Sequence, residues 1–218
     1  MLIKGDTLLF TGDSITDCDR NRTDENIHAN SAGWGYANLL KAAFLHDYPQ
    51  LKLTIYNRGI SGNRVVDLYA RAKEDCYNLR PSPSIISILI GINDLWCEYR
   101  RGEGVETDKF RKVYDLMLNE AQERLPDVKF VLMEPFSLPG GLESAQDNYE
   151  KWRKELEERQ NIVKELAQKY NAIFVPLQSA FDAACDKAPD TYWLYDGVHP
   201  SEAGHMLIAQ TWKQAVLG

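Results

Sequence analysis

A serine stands at position 14, where the apolar run Leu8, Leu9, Phe10, Thr11 gives way to Gly12 and Asp13. An unbroken apolar run reads as a buried parallel strand, and a glycine at its carboxyl end marks the tight turn where open α/β sheets present their chemistry. Ser14 therefore sits where a nucleophile would. A serine hydroxyl is inert at neutral pH unless a histidine accepts its proton and an acidic residue orients that histidine. The far end of the chain carries both, as Asp196, Gly197, Val198, His199. One short loop can hold the pair, with Asp196 accepting from Nδ1 of His199 while Nε2 faces Ser14. Taken singly, Ser14 reads more simply as a helix N-cap or turn residue, and Asp196 with His199 as a capped turn before a helix.

Acyl transfer also needs donors for the oxyanion that develops on the attacked carbonyl. Gly62 has no side chain, so its N–H can approach a substrate closely; a plain left-handed turn is the other reading. Asn93 offers a side-chain NH₂ from the loop after an apolar strand; its other reading is a helix N-cap.

Four segments in this order, GDSIT (12–16), GISGN (59–63), GIND (91–94) and DGVH (196–199), resemble the blocks of the SGNH, or GDSL, hydrolase family. They span nearly the whole chain, which is most similar to the single-domain carbohydrate acetyl esterases of the acetylxylan esterase type. The resemblance implies a flavodoxin-like three-layer α/β/α sandwich, a catalytic triad of Ser14, Asp196 and His199, and an oxyanion hole formed by Ser14, Gly62 and Asn93. GDSIT is not the GxSxG elbow of α/β-hydrolases, so that fold is not implied.

The elements that must position these residues alternate between strand and helix. Strands are expected at 8–11, around Leu51 to Tyr56, at 85–90, 128–133 and 172–175. Amphipathic helices are expected over 34–48, after Asn63 as N-cap, over 107–125 and 149–170, and after Pro200 and Ser201. Alternation of this kind implies right-handed crossovers and a five-stranded parallel sheet between two helical layers. Residues 17–32 and 134–141 are polar or turn-rich and are expected as loops at the strand ends. No repeat or linker interrupts 1–218, which reads as a single domain.

The chain has 218 residues, enough for one domain that buries roughly 70 to 75% of its unfolded surface. Its net charge of −7 disfavours nucleic acid and anionic membrane as partners. The start MLIKGDTLLF is too short and too interrupted for a signal core or membrane span, so a cytoplasmic location is expected. Cys18, Cys76, Cys97 and Cys185 are scattered and imply free thiols. Asp13, Asp17 and Asp19 lack the EF-hand pattern, and His28, His46 and His205 lack ligand spacing, so neither metal nor cofactor is expected. Asp13 and Asp94 are assigned to loop hydrogen bonding.

Trp96 follows the Asn93 block, and Tyr192, Trp193 and Tyr195 precede Asp196. These aromatics read either as core or subunit interface, or as a stacking platform for a sugar ring. The combined expectation is a serine esterase that removes acetyl groups from a small carbohydrate such as a xylo-oligosaccharide; a homo-oligomer is left open. Its rivals are a lysophospholipase or thioesterase of the same superfamily, and a non-catalytic carbohydrate-binding protein.

Overall fold

A computed structural model of the chain describes residues 2–23, 29–140 and 148–218. Five strands, β1 (Thr7–Gly12), β2 (Thr54–Asn57), β3 (Ile85–Leu89), β4 (Lys129–Met133) and β5 (Ile173–Val175), form one sheet in the order β2-β1-β3-β4-β5. Every pairing is parallel. The chain runs outward from β1 to β2, then crosses back over β1 to β3. The carboxyl ends of β1 and β3 therefore flank a topological switch point, the crevice where open α/β sheets bind ligands.

Side chains on a strand alternate between faces, so each strand feeds two cores. On one face Leu8, Phe10, Ile85 and Leu89 meet α2 (Tyr36–Asp47), α7 (Leu177–Ala184) and α9 (Glu202–Leu217) through Phe44, Phe181 and Trp212. On the other face Leu9, Ile86, Ile88 and Leu132 meet α3 (Val65–Ala72), α5 (Thr107–Arg124) and α6 (Tyr149–Lys169) through Leu68, Phe110, Tyr114 and Val163. The fully buried Trp212 packs on Phe10 at 5.7 Å between ring centroids and donates its indole N–H to Ser87 Oγ at 2.9 Å. Truncating such a residue to alanine costs about 3 to 5 kcal/mol. The three-layer sandwich is thus the expected one, with three further helices, α1 (Ser14–Asp17), α4 (Ile92–Arg101) and α8 (Asp190–Trp193), in the connections.

Several boundaries differ from expectation. Leu51 belongs to a 3₁₀ turn opened by Pro49, so β2 starts only at Thr54. The helix expected from Trp34 begins at Tyr36, because Trp34 lies in a glycine-flanked turn. Asn63 does not cap α3: its place is taken by Arg64, whose N–H donates to Asp67, while the Val65 N–H donates to Asp94 at 3.1 Å. The segments 17–32 and 134–141 are not wholly surface loops. Asp17, Arg20 and Ser31 are buried, and Phe136 stacks on Phe181 at 4.4 Å. Residues 24–28 and 141–147, with His28 among them, lie outside the described residues. All four cysteines are free thiols, and among the described residues no helix is long and apolar enough to cross a membrane.

Candidate active site

β1 and β3 approach so closely at their ends that a Cβ on Gly12 would lie 2.1 Å from the Leu89 carbonyl oxygen. Only glycine fits there, and the chain turns at once into α1. Asp13 caps that helix by accepting the Ile15 N–H at 3.0 Å, which leaves Ser14 as its first residue. The Ser14 hydroxyl lies 2.9 Å from His199 Nε2, and His199 Nδ1 lies 2.6 Å from Asp196 Oδ2. A carboxylate only accepts, so Nδ1 carries the imidazole proton and Nε2 is free to accept from Ser14. The other Asp196 oxygen takes the N–H groups of Val198 and His199 at 3.0 and 2.7 Å. Asp196 thereby shapes its own loop as well as orienting the ring.

The donors that could face an oxyanion come from three strand ends. At the end of β2, Asn57 accepts the Gly59 N–H at 2.8 Å and donates to the carbonyls of Thr16 and Ala32. Asp17 accepts the Ser61 N–H at 2.9 Å, so the turn carrying Gly62 is bonded to the helix carrying Ser14. Among the described residues no backbone carbonyl takes the N–H of Ser14 or of Gly62. Asn93, in the first turn of α4, donates one amide hydrogen to the Asn63 carbonyl at 3.1 Å and keeps the second. It is not a cap; Gly91 holds that place.

The electrostatics favour a neutral base held by an ionised partner. Burial is the largest single influence on Asp196 and would raise its pKa, but the ring and backbone hydrogen bonds from His199, its charge and the Val198 N–H together outweigh it and hold the carboxyl below its usual range. At His199 burial pulls the pKa down, yet the hydrogen bond and charge of Asp196 win and leave it above 6.5. Beneath them, burial pushes the carboxyls of Asp13 and Asp94 up to about 7. Both aspartates serve helix termini instead of loops: Asp94 accepts the Val65 N–H of α3 with both oxygens and Asp13 accepts the Ile15 N–H with Oδ1, while Asp13 Oδ2 is buried without a partner among the described residues.

A family model described as GDSL-like lipase/acylhydrolase matches residues 10–207, which include all four segments. The chain belongs to this family. It is accordingly a carboxylic ester hydrolase. Over 214 residues it is 35% identical to an acetylxylan esterase of Geobacillus stearothermophilus, covering 97% of this chain and 94% of the relative. A crystal structure described as a GDSL-like lipase from Parabacteroides merdae superposes with a TM-score of 0.92 at 38% identity, covering 99% of this chain and 97% of the other. An acetyl-xylooligosaccharide esterase from Geobacillus gives a TM-score of 0.86 at 34% identity, covering 98% and 95%. In variants of that esterase described as catalytic, an aspartate or a histidine three positions after it is replaced by alanine, the spacing of Asp196 and His199.

Within this family framework the aromatics separate. Trp96 lies 5.7 Å from the His199 ring and lines a cavity of about 210 Å³ together with Gly62, Asn93 and Ser14. Tyr195 stacks parallel to the His199 ring at 5.8 Å. Tyr192 and Trp193 do not join them: they pack edge-to-face on each other at 5.1 Å in α8, and the Trp193 indole donates to the Ala188 carbonyl. Neither lines a cavity at Ser14, because the helical turn of α8 directs them away from the loop that follows. Two residues the sequence reading missed belong to the site's surroundings. Trp34 lines a second cavity beside Ser14, and its GWG setting was a readable signal. Arg71 holds the loops from below, and nothing in its local sequence marks it.

Proposed function

We propose that the protein removes acetyl groups from carbohydrate, with short xylo-oligosaccharides as substrates, through an acyl-enzyme on Ser14. The observation that carries this reading is the hydrogen-bonded line from Ser14 through His199 to Asp196, set beside the N–H groups of Ser14 and Gly62, which no backbone carbonyl among the described residues takes, and the second amide hydrogen of Asn93. Ser14 Oγ attacks the ester carbonyl as its proton passes to His199 Nε2, and Asp196 stabilises the imidazolium that forms. Negative charge on the carbonyl oxygen is met by the N–H groups of Ser14 and Gly62 and the Asn93 amide. On collapse the sugar oxygen leaves with the proton from His199. Water then gives a proton to His199 as it attacks the acyl carbon, and on collapse His199 returns that proton to Ser14 Oγ as acetic acid leaves.

The carbohydrate side of the reading is supported by the 35% identity to an acetylxylan esterase along almost the whole chain. It is also supported by two small cavities at Ser14, of about 230 and 210 Å³, with mixed aromatic and polar walls. A long acyl chain would need an extended apolar groove, each buried methylene adding about 0.8 kcal/mol. Acetate release from a panel of acetylated xylo-oligosaccharides, compared with p-nitrophenyl esters from acetate to octanoate, tests the assignment. Release from the sugars, abolished by Ser14→Ala, is expected. Rates that climb toward octanoate with no acetate from any sugar overturn it in favour of a lipid esterase.

A further inference from the structure

The two cavities at Ser14 face different parts of an ester. Gly62 and Asn93 line the smaller one, so it lies where a carbonyl oxygen would point. The larger one shares Ser14, Ser61 and His199 with it but adds Trp34, Tyr195, Pro200 and Asp19 and has neither Gly62 nor Asn93, so it is the side left for the alcohol that departs past His199. Its walls include two large aromatics left open to solvent, Trp34 at 49% and Tyr195 at 59% exposed.

Both rings are held in place. A Cβ on Gly33, whose φ is +74°, would fall 2.4 Å from the Cys18 carbonyl oxygen, and one on Gly35 would fall 2.4 Å from Cys18 Sγ and 2.9 Å from His205 Cε1. Residues flanking Trp34 must therefore be glycine, and the backbone there is pressed against α1 and α9. The Trp34 N–H donates to Cys18 O at 3.1 Å, and its indole meets the His205 ring edge-on at 5.0 Å. His205 is itself pinned, accepting the Tyr36 N–H at Nδ1 at 3.2 Å and directing Nε2 toward Cys18 Sγ at 3.4 Å. Opposite, Tyr195 donates its N–H to the His199 carbonyl at 3.1 Å and stacks on that ring.

Resting on the carbohydrate reading, we propose that this cavity is the subsite for the pyranose ring bearing the acetyl group, with Trp34 as its stacking face and Tyr195 as the opposing wall. A pyranose presents C–H faces that suit a flat aromatic surface and a rim of hydroxyls that need polar partners. Ser61 and Asp19 supply such partners at the edge. Rings already immobilised lose little entropy when a sugar settles on them. A continuous acyl chain finds no matching apolar tunnel among these residues.

The test compares kcat and KM on an acetylated methyl β-xyloside and on ethyl acetate, which has no ring. For Trp34→Ala the ratio of kcat/KM between the two esters should shift about tenfold against the xyloside, mostly through KM, the upper end of what one aromatic contact supplies. Trp34→Phe should restore most of that ratio. Equal losses on both esters, or none, overturn the subsite. So does a change in subunit number on sedimentation with the ratio intact, since Trp34 would then serve an interface between copies. Titrating xylobiose into Ser14→Ala protein separates this proposal from the function beneath it. Saturable binding that weakens in Ser14→Ala/Trp34→Ala keeps the subsite even if no acetylated sugar is cleaved. Absence of binding removes it even if acetate is released.

Discussion

Arg71 donates from one guanidinium nitrogen to the carbonyl oxygen of Gly12 at 3.0 Å, so a side chain of α3 grips the backbone two residues before Ser14. Its other nitrogens donate to Arg58 O at 2.7 Å, to Asn63 Oδ1 at 2.6 Å and to Asp75 at 2.7 Å. Asn63 O in turn accepts from Asn93. One side chain thus touches the supports of all three proposed oxyanion donors.

Arg71→Met should therefore lower kcat by about 10²-fold through misplacement of the donors, with KM changed little. Guanidinium ion added to the Arg71→Ala protein should recover part of the lost kcat. Unchanged kcat alongside a lower Tm would make Arg71 a structural residue only.

For Asn93→Ala we expect kcat to fall about 10² to 10³-fold at nearly constant KM, the signature of a donor used in the transition state. Because Gly91 holds the cap position of α4, the melting temperature should barely move. Steady-state kinetics with a parallel thermal melt distinguishes the two roles.

The acid limb of kcat/KM should lie above 6.5, because His199 must be neutral to act and its pKa is raised by Asp196. Activity then climbs as pH rises through that value. Asp196→Asn removes the raising charge, so the limb should move down while kcat falls by orders of magnitude. A limb at or below 6.5 in the wild type would contradict the geometry.

Asp13 supplies a stability prediction of opposite sense to the usual carboxylate. Burial raises its folded pKa to about 7, so the folded chain holds this proton more tightly than the unfolded one. Stability from this group is present below the unfolded value near 3.9 and is lost as pH rises toward 7. Asn at position 13 can still accept the Ile15 N–H without carrying charge. The Tm of Asp13→Asn minus that of wild type should therefore grow between pH 5 and pH 8, and a constant difference would count against the burial argument.

How far the sequence alone reached follows from which interactions are local. The apolar run before Gly12 determined β1, because a strand buried on both faces needs no partner to be recognised. Asp196 and His199 were legible as a pair because one short loop contains both. The same holds for strand and helix alternation, and hence for the sheet class. Only the tertiary structure decided what depends on separate segments meeting. Asn63 looked like a cap, but Asp94 reaches the α3 terminus from the first turn of α4 and leaves Asn63 to join Arg71 to Asn93. Tyr192 and Trp193 stood next to the triad in sequence, yet one helical turn sends them elsewhere, since neighbours on a helix point in different directions. Trp34 stood far from it and arrives at the cavity because Gly33 and Gly35 let its backbone press against Cys18 and His205. Such contacts arise from packing between elements distant along the chain; a local pattern such as the glycines around Trp34 marks a tight turn but does not say what the turn will meet.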